Sequence, residues 1–310
     1  MRSVALPQLR TRKRGCARIA SPGVTATRRH FASPRYANMS REGTYGLLGK
    51  GKQMHIIDSH THVDEYEAFG WFDPPEVIIE LLDEAGIEQA VVMTYADAPV
   101  LKSDALQYIH DACKKYPDRL IPYARINPHA NNAATLLEEA IVDLGMKGLK
   151  IHQESVTASA HHKAVVSLVK KAAVFNAPIL LHSGDEPLSL PQQFTRLAEE
   201  APEATIILAH MGGYHHTDDA ILVCEKYDNL LVDTSACPYP HKIKEAIERL
   251  GAHRVLFGSD GPGCNPKLEL QKIRRIELSE KKQQLVLHDN IMSILEGVRH
   301  TVPGRRPHCS

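Results

Sequence analysis

The sequence predicts an α/β fold, a (β/α)₈ TIM barrel, from three observations. Between residues 54 and 300, eight short apolar runs alternate with segments of helical periodicity. The runs are apolar throughout, as strands of a parallel sheet covered on both faces must be. Eight strand–helix units in about 245 residues also match the size of such a barrel. The rival arrangement, an open doubly wound sheet, lacks its nucleotide-binding signature, since no G-x-G-x-x-G follows the first run.

In chain order, strands are predicted at 54–58 (MHIID), 90–95 (AVVMTY), 119–125 (RLIPYAR), 147–151 (KGLKI), 178–182 (PILLH), 204–209 (ATIILA), 229–233 (NLLVD) and 253–257 (HRVLF). Leu and β-branched residues dominate them, as suits a pleated, buried surface. The helices between them show through spacing. After the first strand, Val77, Ile78, Leu81, Leu82 and Ala85 fall on one helical face; after the fourth, Val165, Leu168, Val169 and Ala172 do so.

The chain of 310 residues is 43% hydrophobic, enough for a sizeable core, and carries 37 basic and 37 acidic residues. That neutrality is a cancellation. Residues 1–41 hold ten Lys/Arg and no acid, which leaves 27 basic against 37 acidic side chains for the rest. A body that acidic argues against a nucleic-acid partner, because phosphates need Lys and Arg. No apolar run approaches the ~18–20 residues that span a bilayer, so no membrane span is expected. The six cysteines are scattered without a C-x-x-C pair and read as thiols of a reducing compartment. Residues 1–53 read as a disordered basic extension, either transit-like or the product of a start placed upstream of Met54, and 301–310 as a tail. The expected location is the cytoplasm, or an organelle matrix if the extension is a transit peptide.

In a TIM barrel, chemistry sits at the C-terminal mouth, on residues that close the strands. Here the first strand ends Asp58-Ser59-His60-Thr61-His62 and the fourth Lys150-Ile151-His152. The fifth ends in His182, the sixth in His210-Met211-Gly212-Gly213 and the eighth in Ser259-Asp260. Residues i and i+2 of a strand share a face, so His60 and His62 can aim two imidazoles at one point. Imidazole favours zinc and neighbouring transition metals. Any one of these histidines alone reads as an ordinary hydrogen-bonded residue, whereas the set at one mouth reads as a metal site. Asp58, on the face of His60, is expected either to accept from a ligand imidazole or to bond backbone. Arg125, closing the third strand, is a candidate for holding a substrate carboxylate. Trp71 and Phe72 are expected to wall or cover the substrate. Asp233, Ser235 and Cys237 follow the seventh strand; metal-driven chemistry leaves Cys237 no task as a nucleophile.

The motifs IIDSHTHVDEY, PILLHSG, TIILAHMGG, LLVDTSA and VLFGSDGP, in that order, resemble the amidohydrolase superfamily. They are most similar to the amidohydrolase-related branch that includes aminocarboxymuconate-semialdehyde decarboxylase and resorcylate-type decarboxylases. The likeness spans nearly all of 54–296, and VLHDNIMSIL, with Asn290, is similar to that branch's final helix. The resemblance implies His60, His62, His182 and Asp260 as ligands of a divalent ion, zinc first and manganese second. It implies His210 as the catalytic histidine, with Asp260 a further proton carrier. Lys150 marks a fork. One ion with His210 catalytic is the first expectation; two ions, with Lys150 carboxylated between them and His210 on the second, is the other.

Hydrolysis of an amide, lactone or ester of a small molecule by metal-bound water is the activity placed first. Non-oxidative decarboxylation of a small, unsaturated or aromatic carboxylic acid is the alternative, and it uses the same ligands. A barrel that merely binds is the third reading, disfavoured by an intact ligand set. A homodimer is expected from the resemblance alone.

Overall fold

The computed structural model describes residues 54–301; the expectations for 1–53 and 302–310 lie outside the described residues. Eight parallel strands form the barrel: β1 Ile57–His62, β2 Gln89–Met93, β3 Leu120–Arg125, β4 Gly148–Ile151, β5 Ile179–Leu181, β6 Ile206–Leu208, β7 Leu230–Asp233 and β8 Val255–Leu256. They pair in chain order from β1 to β8. β8 is too short to close the ring by a ladder of its own. The residues beyond it do so, through Ser59 N–H to Phe257 O at 2.9 Å, Asp260 N–H to His60 O at 2.7 Å and His62 N–H to Gly261 O at 2.7 Å. Closure of the barrel therefore delivers Asp260 to the end of β1.

Helices cover the outer face as the spacing predicts. Ile78, Leu82 and Ala85 are the buried stripe of α1 (Pro75–Ala85). Val165, Leu168, Val169 and Ala172 are buried in the helix Lys163–Val174. Predicted strands match in number and order, and most shift by one to three residues. β1 differs most: it starts at Ile57 and continues through His62, because the polar end of the motif is itself buried between its neighbours.

Inside the barrel, Ile57, Val91, Tyr123, Leu180, Ile207, Leu231 and Leu256 form a separate apolar cluster, joined by Ile291 and Leu295. The last helix, Asn290–Glu296, thus plugs the bottom of the barrel. Its Asn290 Nδ2 donates to Ala252 O at 2.7 Å and Val255 O at 2.8 Å, tying the plug to the start of β8. The plugged floor leaves the barrel interior open toward the opposite mouth.

Gly148 shows how tightly this interior is filled. A Cβ there would lie 2.5–2.7 Å from three ring carbons of Tyr123 on the adjacent strand, and Tyr123 is fully buried. The Gly148→Ala variant is expected to lose ~2–3 kcal/mol of stability, the usual cost of overpacking a rigid core. A urea midpoint equal to that of the wild type would contradict this packing.

Candidate metal centre and active site

The site begins with an irregularity in β1. Its pairing with β2 shifts register between Asp58 and Thr61. Such a bulge re-aims the side chains that follow it. Ile57 packs into the barrel interior, and His60 and His62 still turn toward the mouth although they differ from Ile57 in parity. Asp58 falls on the other side of the irregularity. Its Oδ1 accepts backbone N–H groups of His60 at 3.1 Å and Ser259 at 2.9 Å, and no imidazole. Of the two roles open to Asp58 in the sequence, the structure gives the backbone one.

The imidazole acceptor is Asp233, at the end of β7. His60 Nδ1 donates to Asp233 Oδ2 at 2.9 Å, so its Nε2 faces the mouth. A carboxylate holding the far nitrogen of an imidazole is the usual way to fix a metal-ligating histidine. His60 Nε2 lies 3.5 Å and His62 Nε2 3.1 Å from Asp260 Oδ1. Among the described residues, His60, His210 and Asp260 also bring one donor atom each within 4.8 Å of one another. Ligand atoms that share an ion at about 2.1 Å sit roughly 3–3.5 Å apart. The His60, His62 and Asp260 spacing fits that separation. His182 stands beside them, its ring 4.8 Å from that of His210, with Nε2 on Glu186 Oε2 at 3.1 Å.

Two of these residues occupy left-handed backbone, His210 at φ 62° and Asp260 at φ 64°. Non-glycine residues held in that region cluster at functional sites. Met211, at φ 50°, extends the sharp turn that sets His210 at the mouth.

Electrostatics follow from burial. Burial pushes the His60 imidazole down to about 3, with Lys150 adding to the effect, and pushes His182 down to about 4. Both are therefore neutral, the form that binds a metal. Burial alone would raise the Asp260 carboxyl, but the His62 hydrogen bond and the rings of His210 and His60 hold it well below the usual range. Lys150 is buried, and its Nζ donates to His60 Nε2 at 2.9 Å. Burial lowers that amine to about 8. Lys150 thus sits at the fork foreseen from the sequence, as a cation on the lone pair that an ion would take.

Burial also raises the Asp58 carboxyl to about 7, against hydrogen bonds from Ser259 and His60. With a folded pKa above the unfolded value, the folded state holds the extra proton, so stability falls as pH rises toward 7. Wild type is expected to lose stability relative to Asp58→Asn between about pH 4 and pH 7, the two curves running parallel above that. Urea midpoints across this range test it; a constant difference would contradict it.

Around the centre, the structure adds residues and corrects others. Tyr95 stacks on His62, centroids 4.6 Å apart, and Trp71 sits 5.1 Å from Tyr95. Asp64 holds this wall in place: its Oδ2 accepts the N–H groups of Tyr95 and Ala96, each at 2.9 Å, and its Oδ1 accepts from Lys102 Nζ at 2.8 Å. Trp71 packs beside Tyr95, while Phe72, on the alternate face of the short strand Trp71–Asp73, is 63% exposed. Arg125 is buried with a partner the sequence did not reveal: its Nε donates to Asp97 Oδ1 at 2.8 Å and its Nη1 to Thr94 O at 3.3 Å. His152, at the end of β4, stacks on His182 with centroids 4.1 Å apart. Asp233, Ser235, Glu186 and His152 are the residues whose roles sequence reasoning missed. Their one available signal was position, since each closes or follows a strand at the mouth. Cys237 is buried with its thiol pushed up by burial, and the described cysteines are free.

A cavity of about 150 Å³ opens on this cluster, lined among others by His182, Asp185, Glu186, His210, Tyr214 and Asp260. A barrel with imidazoles and a carboxylate converging at its mouth defines the class of protein. The amidohydrolase family profile matches residues 57–296. The chain belongs to the amidohydrolase family and is an enzyme of that superfamily. No curated protein sequence matches it. Among solved structures it is similar to the uncharacterized TIM-barrel protein Bb4693 from Bordetella bronchiseptica, with 18% identity and a TM-score of 0.68, over 79% of this chain and 99% of that one. It is similar to 2,6-dihydroxybenzoate decarboxylase from Rhizobium, with 18% identity and a TM-score of 0.62, over 78% and 99%. It is also similar to 5-carboxyvanillate decarboxylase from Novosphingobium aromaticivorans, a structure with manganese, at 16% identity and a TM-score of 0.65, over 80% and 97%. These likenesses show the barrel. No described helix is long and apolar enough to cross a membrane.

Proposed function

We propose that the protein is a metal-dependent, non-oxidative decarboxylase of a small, flat, unsaturated or aromatic carboxylic acid. The observation that carries this reading is the aromatic wall of Trp71 and Tyr95 stacked directly against His62 of the histidine–carboxylate cluster. A planar acid with its carboxylate at that cluster would lie along the wall. The naming of two similar barrels as decarboxylases supports the same reading.

His60, His62, His182 and Asp260 would hold a single divalent ion, manganese or zinc, which when bound supplies Lewis-acid stabilisation of substrate oxygens. The residues themselves do the rest. Asp233 fixes the His60 tautomer, with the lone pair on Nε2, by accepting the Nδ1–H, while burial keeps the ring neutral. Tyr95 and Trp71 orient the ring of the acid and exclude water from it. As the bond to the departing CO₂ breaks, its electron pair stays on the substrate carbon, and His210 delivers the proton that carbon takes up. His210 would regain that proton from water at the mouth through Asp260, whose donor atom lies within 4.8 Å of its own.

Hydrolysis, placed first from the sequence, would use the same residues but gives the aromatic wall no task. Protein loaded with manganese is assayed for CO₂ release from 2,6-dihydroxybenzoate and 5-carboxyvanillate and, in parallel, for opening of small lactones and amides. CO₂ release from any acid, lost in His210→Asn, supports the proposal. Turnover of lactones or amides with no CO₂ from an extended panel of unsaturated acids would replace it by hydrolysis.

A further inference from the structure

We propose that Ser235 is a positioning residue that fixes the tautomer of His210, linking it to the same carboxylate that orients His60. The inference rests on the reading of His210 as the proton-handling residue of the site.

Ser235 follows β7 in a turn whose next residue, Ala236, has φ 52°. Glu269 Oε2 accepts the Ala236 N–H at 3.0 Å and fixes that turn. Ser235 Oγ then lies among three groups: Asp233 Oδ1 at 2.5 Å, His210 Nδ1 at 2.9 Å and His60 Nδ1 at 3.1 Å. Asp233 Oδ1 already accepts the N–H groups of His210 and Ser235, each at 3.0 Å. An ionised carboxylate only accepts, so at that separation the single hydroxyl proton must point to Asp233. The oxygen is left with lone pairs facing two imidazole nitrogens. Both Nδ1 atoms must therefore be the protonated ones. His60 Nδ1–H is shared between Ser235 Oγ and Asp233 Oδ2. His210 Nδ1–H is shared between Ser235 Oγ and the carbonyl oxygen of Ser235 at 3.3 Å, which can only accept.

Neutral His210 consequently carries its lone pair on Nε2, on a ring that lines the cavity. Nε2 is the atom that can take a proton and deliver it, and the positive ring so formed is connected through the hydroxyl to Asp233. One Asp–Ser unit thereby serves both imidazoles. Asp233 acts on His60 directly and on His210 through Ser235. Alanine at 235 would leave the His210 Nδ1–H only the longer carbonyl contact and break its connection to the carboxylate.

Ring ¹⁵N shifts of the histidines, read by long-range ¹H–¹⁵N correlation on the metal-free full chain, test this without any turnover. His210 is assigned by the loss of its signals in His210→Gln. The expected wild-type pattern is a protonated Nδ1 and a bare Nε2 at His210. Ser235→Ala should introduce an Nε2–H population, and Ser235→Thr, which keeps the hydroxyl, should restore the wild-type pattern. An Nε2–H His210 in the wild type would overturn the proposal, as would a folded Ser235→Ala with unchanged shifts. Should alanine fail to fold, Ser235→Cys, closer in size and a poor acceptor, is read in its place with the same two outcomes. Titration with Mn²⁺ alone separates this inference from the reading beneath it. Wild type that shows the expected tautomer but binds no Mn²⁺ keeps the role of Ser235 and removes the metal centre. Wild type that binds Mn²⁺ with the opposite tautomer does the reverse.

Discussion

Asp260→Ala is expected to remove the divalent ion and turnover together. Asp260 is the carboxylate between His60 and His62, at 3.5 and 3.1 Å from their Nε2 atoms. Without it the donors are buried, neutral imidazoles with no charge to balance a dication, beside the Lys150 amine that already competes for His60. Several kcal/mol of Lewis-acid stabilisation disappear with the ion, so turnover should fall by at least ~10³-fold. Alanine is strained in the left-handed backbone of this position, φ 64°. Asparagine tolerates that region, so Asp260→Asn separates the charge from the strain. It should retain the wild-type melting behaviour yet bind metal far more weakly. Metal content and activity near wild type in Asp260→Asn would remove Asp260 from the site.

His210→Asn is expected to separate binding from chemistry. The ring lines the cavity and its Nδ1 is already committed to Ser235, so its task is at Nε2. Asparagine suits the φ of 62° at this position and keeps the turn after β6. Loss of a positioned proton carrier costs typically 10²–10⁴-fold. Turnover should fall in that range while the ion that we propose His60, His62, His182 and Asp260 hold is largely kept. Loss of metal in equal measure to turnover would make His210 a ligand, and the two-ion arrangement with Lys150 would then gain ground.

The barrel was legible in the sequence because its signal is local: most buried strands are apolar runs and the helices repeat their own stripes. The mouth was legible for a related reason, since strand ends are where that signal stops, and His60, His62, His182, His210 and Asp260 stand at those points. What the sequence withheld is the second layer of partners. His60 and Asp233 are 173 residues apart and meet only when the barrel closes. Arg125 and Asp97 meet across neighbouring strand ends, 28 residues apart. Asp58 illustrates the limit in β1 itself. Strict alternation puts it on the face of His60, and the bulge, which lies among the closing bonds from Ser59, Asp260 and His62, moves it away. Periodicity cannot announce a bulge whose cause lies 200 residues further along the chain. Phe72 faces outward for the simpler reason that its neighbour Trp71 takes the inward face of a three-residue strand.

The central claim is that this mouth holds one divalent ion. Elemental analysis of protein purified without added metal, repeated after loading with manganese or zinc and exhaustive dialysis, tests it most directly. Close to one ion per chain is expected in the wild type and close to none in Asp260→Asn. No retained ion in the wild type would contradict the metal centre itself. Two ions per chain would contradict the single-ion site and make Lys150 a bridging ligand.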